Sequence, residues 1–293
     1  MFKIITIGVL GLGLMTPSTL SAVDTNNMQL DMASLVDDLM NTNDTIKEKI
    51  NLSGKQRMLT QRMTKLALLI SLNIDSEKNR KSLLSFATAY NDALENFKGE
   101  ENKAINTQLK VIEKVWKPFF KNVKLIVEGK DKDSKALNYL LKNNELLLKE
   151  SNNLVLKYEE GNTSQNYMER AMVTIIDLAG RQRMLSQKMT KEKLLIVKGE
   201  SKYNAKLKET VKLFDDSLTL LLKGDTKKKI SKPSNKKIKK QLLKVSALWK
   251  ELKPLYKKEK TEPKELALII QKNPILLKEI NLMVKMAETE TEY

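Results

Sequence analysis

The chain has 293 residues, with 53 basic and 36 acidic side chains, a formal net charge of +17, no cysteine and no histidine. Without imidazole or thiol groups it cannot form a Ser-His-Asp triad, a cysteine nucleophile, a zinc finger or a disulfide framework. Only 10 glycines and 6 prolines are present, too few for the turns of many short strands. The composition therefore predicts an all-α protein.

The first 22 residues have the pattern of a secretory signal peptide. Lys3 precedes an apolar run over residues 4–15, and a stretch of small and polar residues leads to Ala22. We predict cleavage after Ala22 and a soluble periplasmic or secreted protein. The alternative is an uncleaved N-terminal membrane anchor, which the run disfavours because a spanning helix needs about 20 apolar residues.

A segment of 20 residues occurs twice in the chain. Residues 51–70, NLSGKQRMLTQRMTKLALLI, return at residues 177–196 as DLAGRQRMLSQKMTKEKLLI, with 13 of the 20 positions identical. We name this segment the repeated box. Because weaker similarities follow both copies in the same order, the sequence predicts a duplication of one structural unit.

The apolar residues of each copy recur at helical spacing, and glycines follow several of the predicted helices. Four amphipathic helices with short connections predict an up-down four-helix bundle. The expected organisation is two tandem bundles, over residues 23–160 and 161–293. Pro118, Pro254 and Pro274 are expected to kink or interrupt their helices. The predicted helices are residues 28–73, 76–98, 102–128 and 133–160 in the first copy, and 164–198, 201–223, 234–259 and 264–288 in the second.

The repeated box has two distinct helical faces. Leu52, Leu59 and Met63 lie on an apolar stripe of the kind that a bundle helix buries. The opposite face is the same in both copies: Gly54, Arg57, Gln61 and Thr64 in the first, and Gly180, Arg183, Gln187 and Thr190 in the second. A helical glycine costs about 1 kcal/mol relative to alanine, which favours close approach of another backbone. We therefore expect this face to pack against a second helix of the same kind.

The repeated box resembles the signature of the NarX-like sensor domain, also called the PilJ-type N-terminal domain. That domain occurs in nitrate and nitrite sensor kinases and in a chemoreceptor linked to type IV pili. The matching residues are Gly54, Arg57, Met58, Thr60 and Arg62 in the first copy, and Gly180, Arg183, Met184, Ser186 and Lys188 in the second.

The resemblance implies a periplasmic four-helix bundle that dimerises through its first helix. One arginine from each first helix holds a nitrate or nitrite ion, and Arg57 and Arg183 match that position. From their place on the same face, Gln61 and Gln187 are candidate neutral donors to the anion. The two boxes are expected to pair as an internal pseudo-dimer or between two chains as a homodimer. Since the family members carry transmembrane helices and an output module that this sequence does not show, a membrane receptor or sensor protein is the expected partner.

Two other interpretations remain open. The same helix faces suit a helical partner in a structural or interaction protein. A lysine-rich segment, with 15 lysines against three acids over residues 223–260, also suits a polyanion or an anionic membrane surface. Nucleic acid is not expected as a partner of an exported protein. The lysines of this basic patch that we single out are Lys227, Lys228, Lys229, Lys236, Lys237, Lys239 and Lys240.

Catalysis and cofactor binding are not expected. Asp215 and Asp216 are adjacent on a helix and diverge by about 100°, so they do not form an acid-base pair. The sequence has no glycine-rich phosphate loop and no HExxH or GxSxG motif. The methionines of the repeated box are interpreted as core residues rather than metal ligands, and no metal site is expected.

Overall fold

The structure, a computed structural model, describes residues 45–98, 101–161, 167–228 and 230–289. The predicted signal peptide lies outside the described residues, as does the beginning of the predicted helix over residues 28–73. Each described half of the chain contains four long helices, so the all-α prediction is confirmed.

Three helices of the first half lie within a few residues of their predicted bounds, whereas the first helix begins at Ile46, later than the predicted start at residue 28. The four helices are α1 (Ile46–Ser71), α2 (Ser76–Asn96), α3 (Lys103–Val127) and α4 (Lys135–Glu160). The second half repeats this order with α5 (Tyr167–Val197), α6 (Tyr203–Lys223), α7 (Lys236–Lys257) and α8 (Pro263–Thr289). A short 3-10 turn over Lys132–Ser134 precedes α4.

Side-chain caps explain where several helices begin. The Thr45 hydroxyl accepts a hydrogen bond from the backbone of Glu48, whose carboxylate accepts from the backbone of Thr45, and this reciprocal pair is a capping box. Asn102 and Asn235 cap α3 and α7, and the side-chain oxygen of each accepts from the backbone N–H groups of the second and third residues after it. The third helix of each half therefore starts at the same kind of residue.

The three prolines were expected to kink or interrupt their helices, and the structure shows no interruption at any of them. Pro118, Pro254 and Pro274 lie inside continuous helices. A proline removes one backbone hydrogen bond, but each of these helices has buried side chains both before and after its proline. Trp116 and Phe119, for example, are buried on either side of Pro118. Packing of the long amphipathic face outweighs the lost hydrogen bond.

Within each half the four helices pack in a ring around an apolar core. In the first half α1 contacts α2 and α4, and α3 contacts the same two helices. The second half has the equivalent contacts among α5, α6, α7 and α8. The duplication extends to single hydrogen bonds, since Trp116 Nε1 donates to Asn91 at 3.2 Å and Trp249 Nε1 donates to Asp215 at 2.9 Å.

The two halves meet through their first helices, α1 and α5, which pack along their length. Early residues of α1 contact early residues of α5, and late residues contact late ones, so the two helices run in the same direction. Every residue from Ile50 to Leu69 is buried, which means that α1 buries both faces of the repeated box. One face lies in its own bundle and the other lies against α5.

In the described part of the chain, no helix combines the length and the apolar character that crossing a membrane requires.

Candidate functional site: an arginine pair between the two first helices

Arg57 and Arg183 lie together between α1 and α5, and both are fully buried, with 1% and 0% of their surface exposed. A Cβ atom placed on Gly54 would lie 3.3 Å from Arg57 Nη2 and 3.5 Å from Arg183 Nη2. One placed on Gly180 would lie 3.4 Å from each of the same two atoms. The two guanidinium groups therefore converge on the space that the glycines leave open. Guanidinium groups, rather than the backbone that we expected, account for the glycine at both positions.

Arg57 is held by acceptors from the other half and from its own bundle. Its Nη2 donates to Asp177 Oδ1 on α5 at 2.6 Å, and its Nη1 donates to Asn152 Oδ1 on α4 at 3.0 Å. Arg57 and Asp177 form a buried ion pair with side chains 1% and 7% exposed. Burial of such a pair requires good hydrogen-bond geometry, because both charges lose their hydration.

Arg183 has the equivalent environment with one chemical difference. Its Nη2 donates to Asn51 Oδ1 on α1 at 2.8 Å, and its Nη1 donates to Asn281 Oδ1 on α8 at 3.0 Å. Asn51 and Asp177 are the first residues of the two copies of the repeated box. An amide in one copy thus stands where the other copy has a carboxylate.

A glutamate carboxyl group contacts each of these two residues, Asn51 and Asp177. Glu288 Oε2 accepts a hydrogen bond from Asn51 Nδ2 at 2.7 Å. On the other side Glu159 interacts with Asp177, and burial together with that carboxylate raises the pKa of Glu159 to about 7. Burial also raises the pKa of Glu288. The arginine pair is therefore flanked by two carboxyl groups that bind protons more tightly than usual.

The arrangement concentrates positive charge in a buried interface. Because both Nη2 atoms lie within 3.5 Å of the point where a Cβ atom of Gly54 would stand, they are at most about 7 Å apart, and two unit charges at that distance repel each other by about 2 kcal/mol at an effective dielectric constant of 20. Asp177 offsets part of this repulsion, but it also pairs with Arg181 at 2.7 Å. Among the described residues, Arg57 Nε has no hydrogen-bond partner. Chemically, the site offers directed N–H donors to a small anion.

Gln61 and Gln187 lie in a second polar layer of the same interface. Gln61 Oε1 accepts from Lys191 Nζ at 2.7 Å, and Gln187 Oε1 accepts from Lys65 Nζ at 2.6 Å. Their amide nitrogens donate to the hydroxyls of Thr60 and Ser186. In this structure both glutamines therefore accept from a lysine of the partner helix and donate to a neighbouring hydroxyl. Their role as donors to an anion stays a prediction.

Thr64 and Thr190 are buried on the same faces as the arginines. The Thr64 hydroxyl donates to the carbonyl of Thr60 inside α1 at 3.1 Å. The Thr190 hydroxyl lies 2.7 Å from that of Tyr256, on α7. Thr190 therefore links α5 to its own bundle.

Several residues of this interface are missing from the sequence-based site. Lys65 and Lys191 are identical in the two boxes. On the helical wheel each lies beside the glycine of its own box, on the arginine face, so the pattern offered a usable signal for them. Asp177 and Asn51 stand at the start of the box, where the copies differ. Nothing in the pattern of the box identifies the asparagines of α4 and α8, because they lie about a hundred residues away. Those asparagines are Asn144, Asn152, Asn273 and Asn281.

The basic patch lies far from this interface in the chain, in the connection between α6 and α7 and in the first turns of α7. Lys229 lies outside the described residues, and the other six lysines are exposed. A role for them in binding a polyanion or a membrane surface stays a prediction.

The fold and the site together define a class of protein: a tandem pair of four-helix bundles joined by parallel first helices, with a buried arginine from each. A comparison of the sequence with protein families agrees with this two-copy helical architecture. The family of the type IV pili methyl-accepting chemotaxis transducer N-terminal domain, PilJ, matches residues 39–140 and 168–270. The chain belongs to this family, as the repeated box suggested, and carries two copies of its sensor-type helical domain. No curated protein matches the chain, and no solved structure does.

Proposed function

We propose that this protein is an anion sensor that binds a small planar oxyanion, of the nitrate or nitrite type, between α1 and α5. The observation that supports this most directly is the convergence of Arg57 and Arg183 on the space left by Gly54 and Gly180. A bound anion would reduce the repulsion between the two guanidinium groups. Each group contributes charge-assisted hydrogen bonds of about 1.5 to 3 kcal/mol, which gives micromolar to millimolar affinity after the cost of association.

In this proposal Asp177 sets the affinity for the anion, because its carboxylate already accepts a hydrogen bond from Arg57 Nη2 at 2.6 Å. An incoming oxyanion competes with it for the same guanidinium N–H groups. Replacing Asp177 by asparagine gives both copies of the box the same first residue and removes the competing charge. The site therefore becomes more positive and more symmetric without losing a hydrogen-bond acceptor.

Binding would act on the helix pair that joins the two halves. An anion that draws Arg57 and Arg183 together changes the relative position of α1 and α5, a small interface movement of a kind used in switching proteins. We propose that a membrane receptor or sensor protein reads this movement. Export to the periplasm or beyond, as predicted from residues 1–22, would place the sensor where such a receptor domain is accessible.

Titration calorimetry with nitrate and with nitrite tests the proposal. We expect saturable binding to the wild type, tighter binding to Asp177→Asn, and at least about tenfold weaker binding to Arg57→Lys, because lysine lacks the planar two-pronged donor. Arg183→Lys should weaken binding to a similar extent. Arg181→Lys is the matched control, since Arg181 is half exposed and pairs with the same aspartate from outside.

Absence of heat for both the wild type and Asp177→Asn would overturn the proposal. So would equal affinities for Arg57→Lys, Arg183→Lys and Arg181→Lys, because the buried pair would then play no part in the binding.

A further inference from the structure

The repeated box places a buried lysine at the same position of both first helices, Lys65 in α1 and Lys191 in α5. They are 5% and 1% exposed. Each ammonium group donates across the interface to a glutamine of the partner helix, at 2.6 and 2.7 Å. Each also donates to an asparagine of a last bundle helix, Lys65 to Asn273 at 2.8 Å and Lys191 to Asn144 at 2.6 Å. The two lysine pockets are therefore built to the same plan.

The pockets differ in the third acceptor. Lys191 Nζ also donates to Glu145 Oε1 at 2.6 Å. Glu145 follows Asn144 in α4, and its side chain is 42% exposed, so the carboxylate reaches the ammonium from the protein surface. In α8 the residue after Asn273 is Pro274, which has no carboxylate.

Among the described residues, Lys65 makes no ion pair, and its contacts are the two amide oxygens. An ammonium group has three N–H donors. In the Lys191 pocket the third N–H group donates to Glu145. In the Lys65 pocket the equivalent N–H group has no acceptor among the described residues.

The surroundings of Lys65 add further positive charge. Arg62, one turn earlier in α1, is buried with its guanidinium 4.0 Å from the centre of the Phe86 ring, and it makes no ion pair among the described residues. Burial lowers the pKa of Arg62 to about 9, and burial together with Arg62 holds the pKa of Lys65 well below its usual range.

The second half supplies acids where the first half does not. Lys188, the equivalent of Arg62, pairs with Glu192, and Glu192 corresponds to Leu66 in the first copy. Both cations of α1 therefore lack the carboxylate that their counterparts in α5 have. A buried cation without a counter-charge either loses its proton or takes up an anion.

We propose that the Lys65 pocket is a binding site for a small carboxylate anion of the acetate type. The anion takes the position beside Pro274 that the Glu145 carboxylate holds beside Lys191. It accepts the third hydrogen bond of the ammonium and enters along the half-buried edge of α8, as Glu145 enters along α4. The site is separate from the arginine pair and does not depend on the proposed function.

Two variants of Pro274 provide the test. Pro274→Glu supplies an internal carboxylate at the position of the ligand, and Pro274→Gln is the control of equal size without charge. Thermal unfolding is followed during titration with sodium acetate, against sodium chloride at the same ionic strength. We expect a saturable rise of the unfolding midpoint with acetate in the wild type and in Pro274→Gln, since ligand binding to the folded state stabilises it.

The internal carboxylate should abolish this response. In Pro274→Glu the unfolding midpoint without acetate should match or exceed that of acetate-saturated Pro274→Gln, and apparent acetate affinity should fall at least about tenfold. Lys65→Met should also lose the response. Arg57→Lys should keep it, which distinguishes this site from the arginine pair.

Two results would overturn the proposal. One is an identical acetate response in Pro274→Glu and Pro274→Gln, which would locate the anion elsewhere. The other is a rise of the wild-type unfolding midpoint that is no larger with acetate than with chloride, which would mean that Lys65 is buried in its neutral form. A response lost in Arg57→Lys but kept in Pro274→Glu would assign acetate to the arginine pair and leave the proposed function standing.

Discussion

Asp177 is the residue that makes the two otherwise equivalent sides of the arginine pair unequal. It brings a carboxylate to Arg57 where Asn51 brings an amide to Arg183. The same substitution places two carboxyl groups in contact on one side, Asp177 with Glu159, whereas Asn51 donates a hydrogen bond to Glu288 on the other. This one difference between the copies therefore changes both the charge beside the arginines and the proton affinity of the neighbouring glutamates.

The raised pKa of Glu159 predicts that protein stability falls as the pH rises. Its pKa is about 7 in the folded protein against an ordinary value of 4.5, so the folded state holds a proton that the unfolded state releases between these values. This contribution is full below pH 4.5 and is lost as the pH rises through 7. In Glu159→Gln the group cannot ionise, and we expect a gain of about 1 to 2 kcal/mol at pH 8 relative to pH 5, after allowance for partial exposure.

Urea unfolding at the two pH values measures this gain. Glu160→Gln is the control, because Glu160 is the next residue of α4, is 64% exposed and pairs with Lys157 at the surface. The same dependence of stability on pH in the wild type and in Glu159→Gln would contradict the assignment of the raised pKa to this carboxyl group.

At the residue scale the sequence placed the two arginines in the interface, but it did not identify the residues that accept their hydrogen bonds. Helical spacing and identity between the copies located Arg57 and Arg183 on a face that meets a second helix. The acceptors of Arg57, by contrast, come from Asp177 and Asn152, which are 120 and 95 residues away along the chain. Their place depends on how α4 and α5 pack against α1, and no local pattern encodes that packing.

The helix ends show which local signals determine the elements. Gly224 was predicted to end a helix, and it follows α6 with a φ of +70°. Left-handed backbone of this kind is strained for any residue with a Cβ atom. The chain then returns on itself, and the backbone of Asp225 exchanges two hydrogen bonds with that of Ile230. A capping signal is local, which explains why the end of α6 followed from the sequence.

Gly224→Ala should destabilise the protein more than Gly199→Ala. Both glycines have positive φ, but a Cβ atom on Gly224 would lie 2.6 Å from the backbone nitrogen of Lys232, whereas one on Gly199 meets nothing within 4 Å. We expect a loss of about 1 to 2 kcal/mol for Gly199→Ala from backbone strain alone, and a larger loss for Gly224→Ala. Urea unfolding of both variants measures the difference, and equal losses would show that the turn moves aside without cost.

At the scale of the whole molecule, the polar interface between α1 and α5 ties two similar bundles together. Four of its cations cross from one half to the other: Arg57, Lys65, Arg183 and Lys191 each donate to a residue of the opposite half. Buried charges are costly without their partners. Separation of the halves would expose all four groups at once and would also uncover the apolar residues between them.

This coupling predicts that the two halves unfold together, and each half contains its own reporter. The chain has two tryptophans, Trp116 in the first half and Trp249 in the second. In Trp249→Phe the remaining tryptophan reports on the first half, and in Trp116→Phe it reports on the second. Within each variant we expect the tryptophan fluorescence transition in urea to coincide with the loss of helical circular dichroism.

Asp177→Ala, added to each tryptophan variant, tests the coupling, because it leaves Arg57 buried without its carboxylate. We expect the unfolding free energy that each tryptophan reports to fall by the same amount, on the order of 3 to 5 kcal/mol. The exposed Lys227→Ala should move neither. If only the Trp249 transition responded to Asp177→Ala, the halves would be independent domains, and movement of α1 against α5 would not be a signal shared by the molecule.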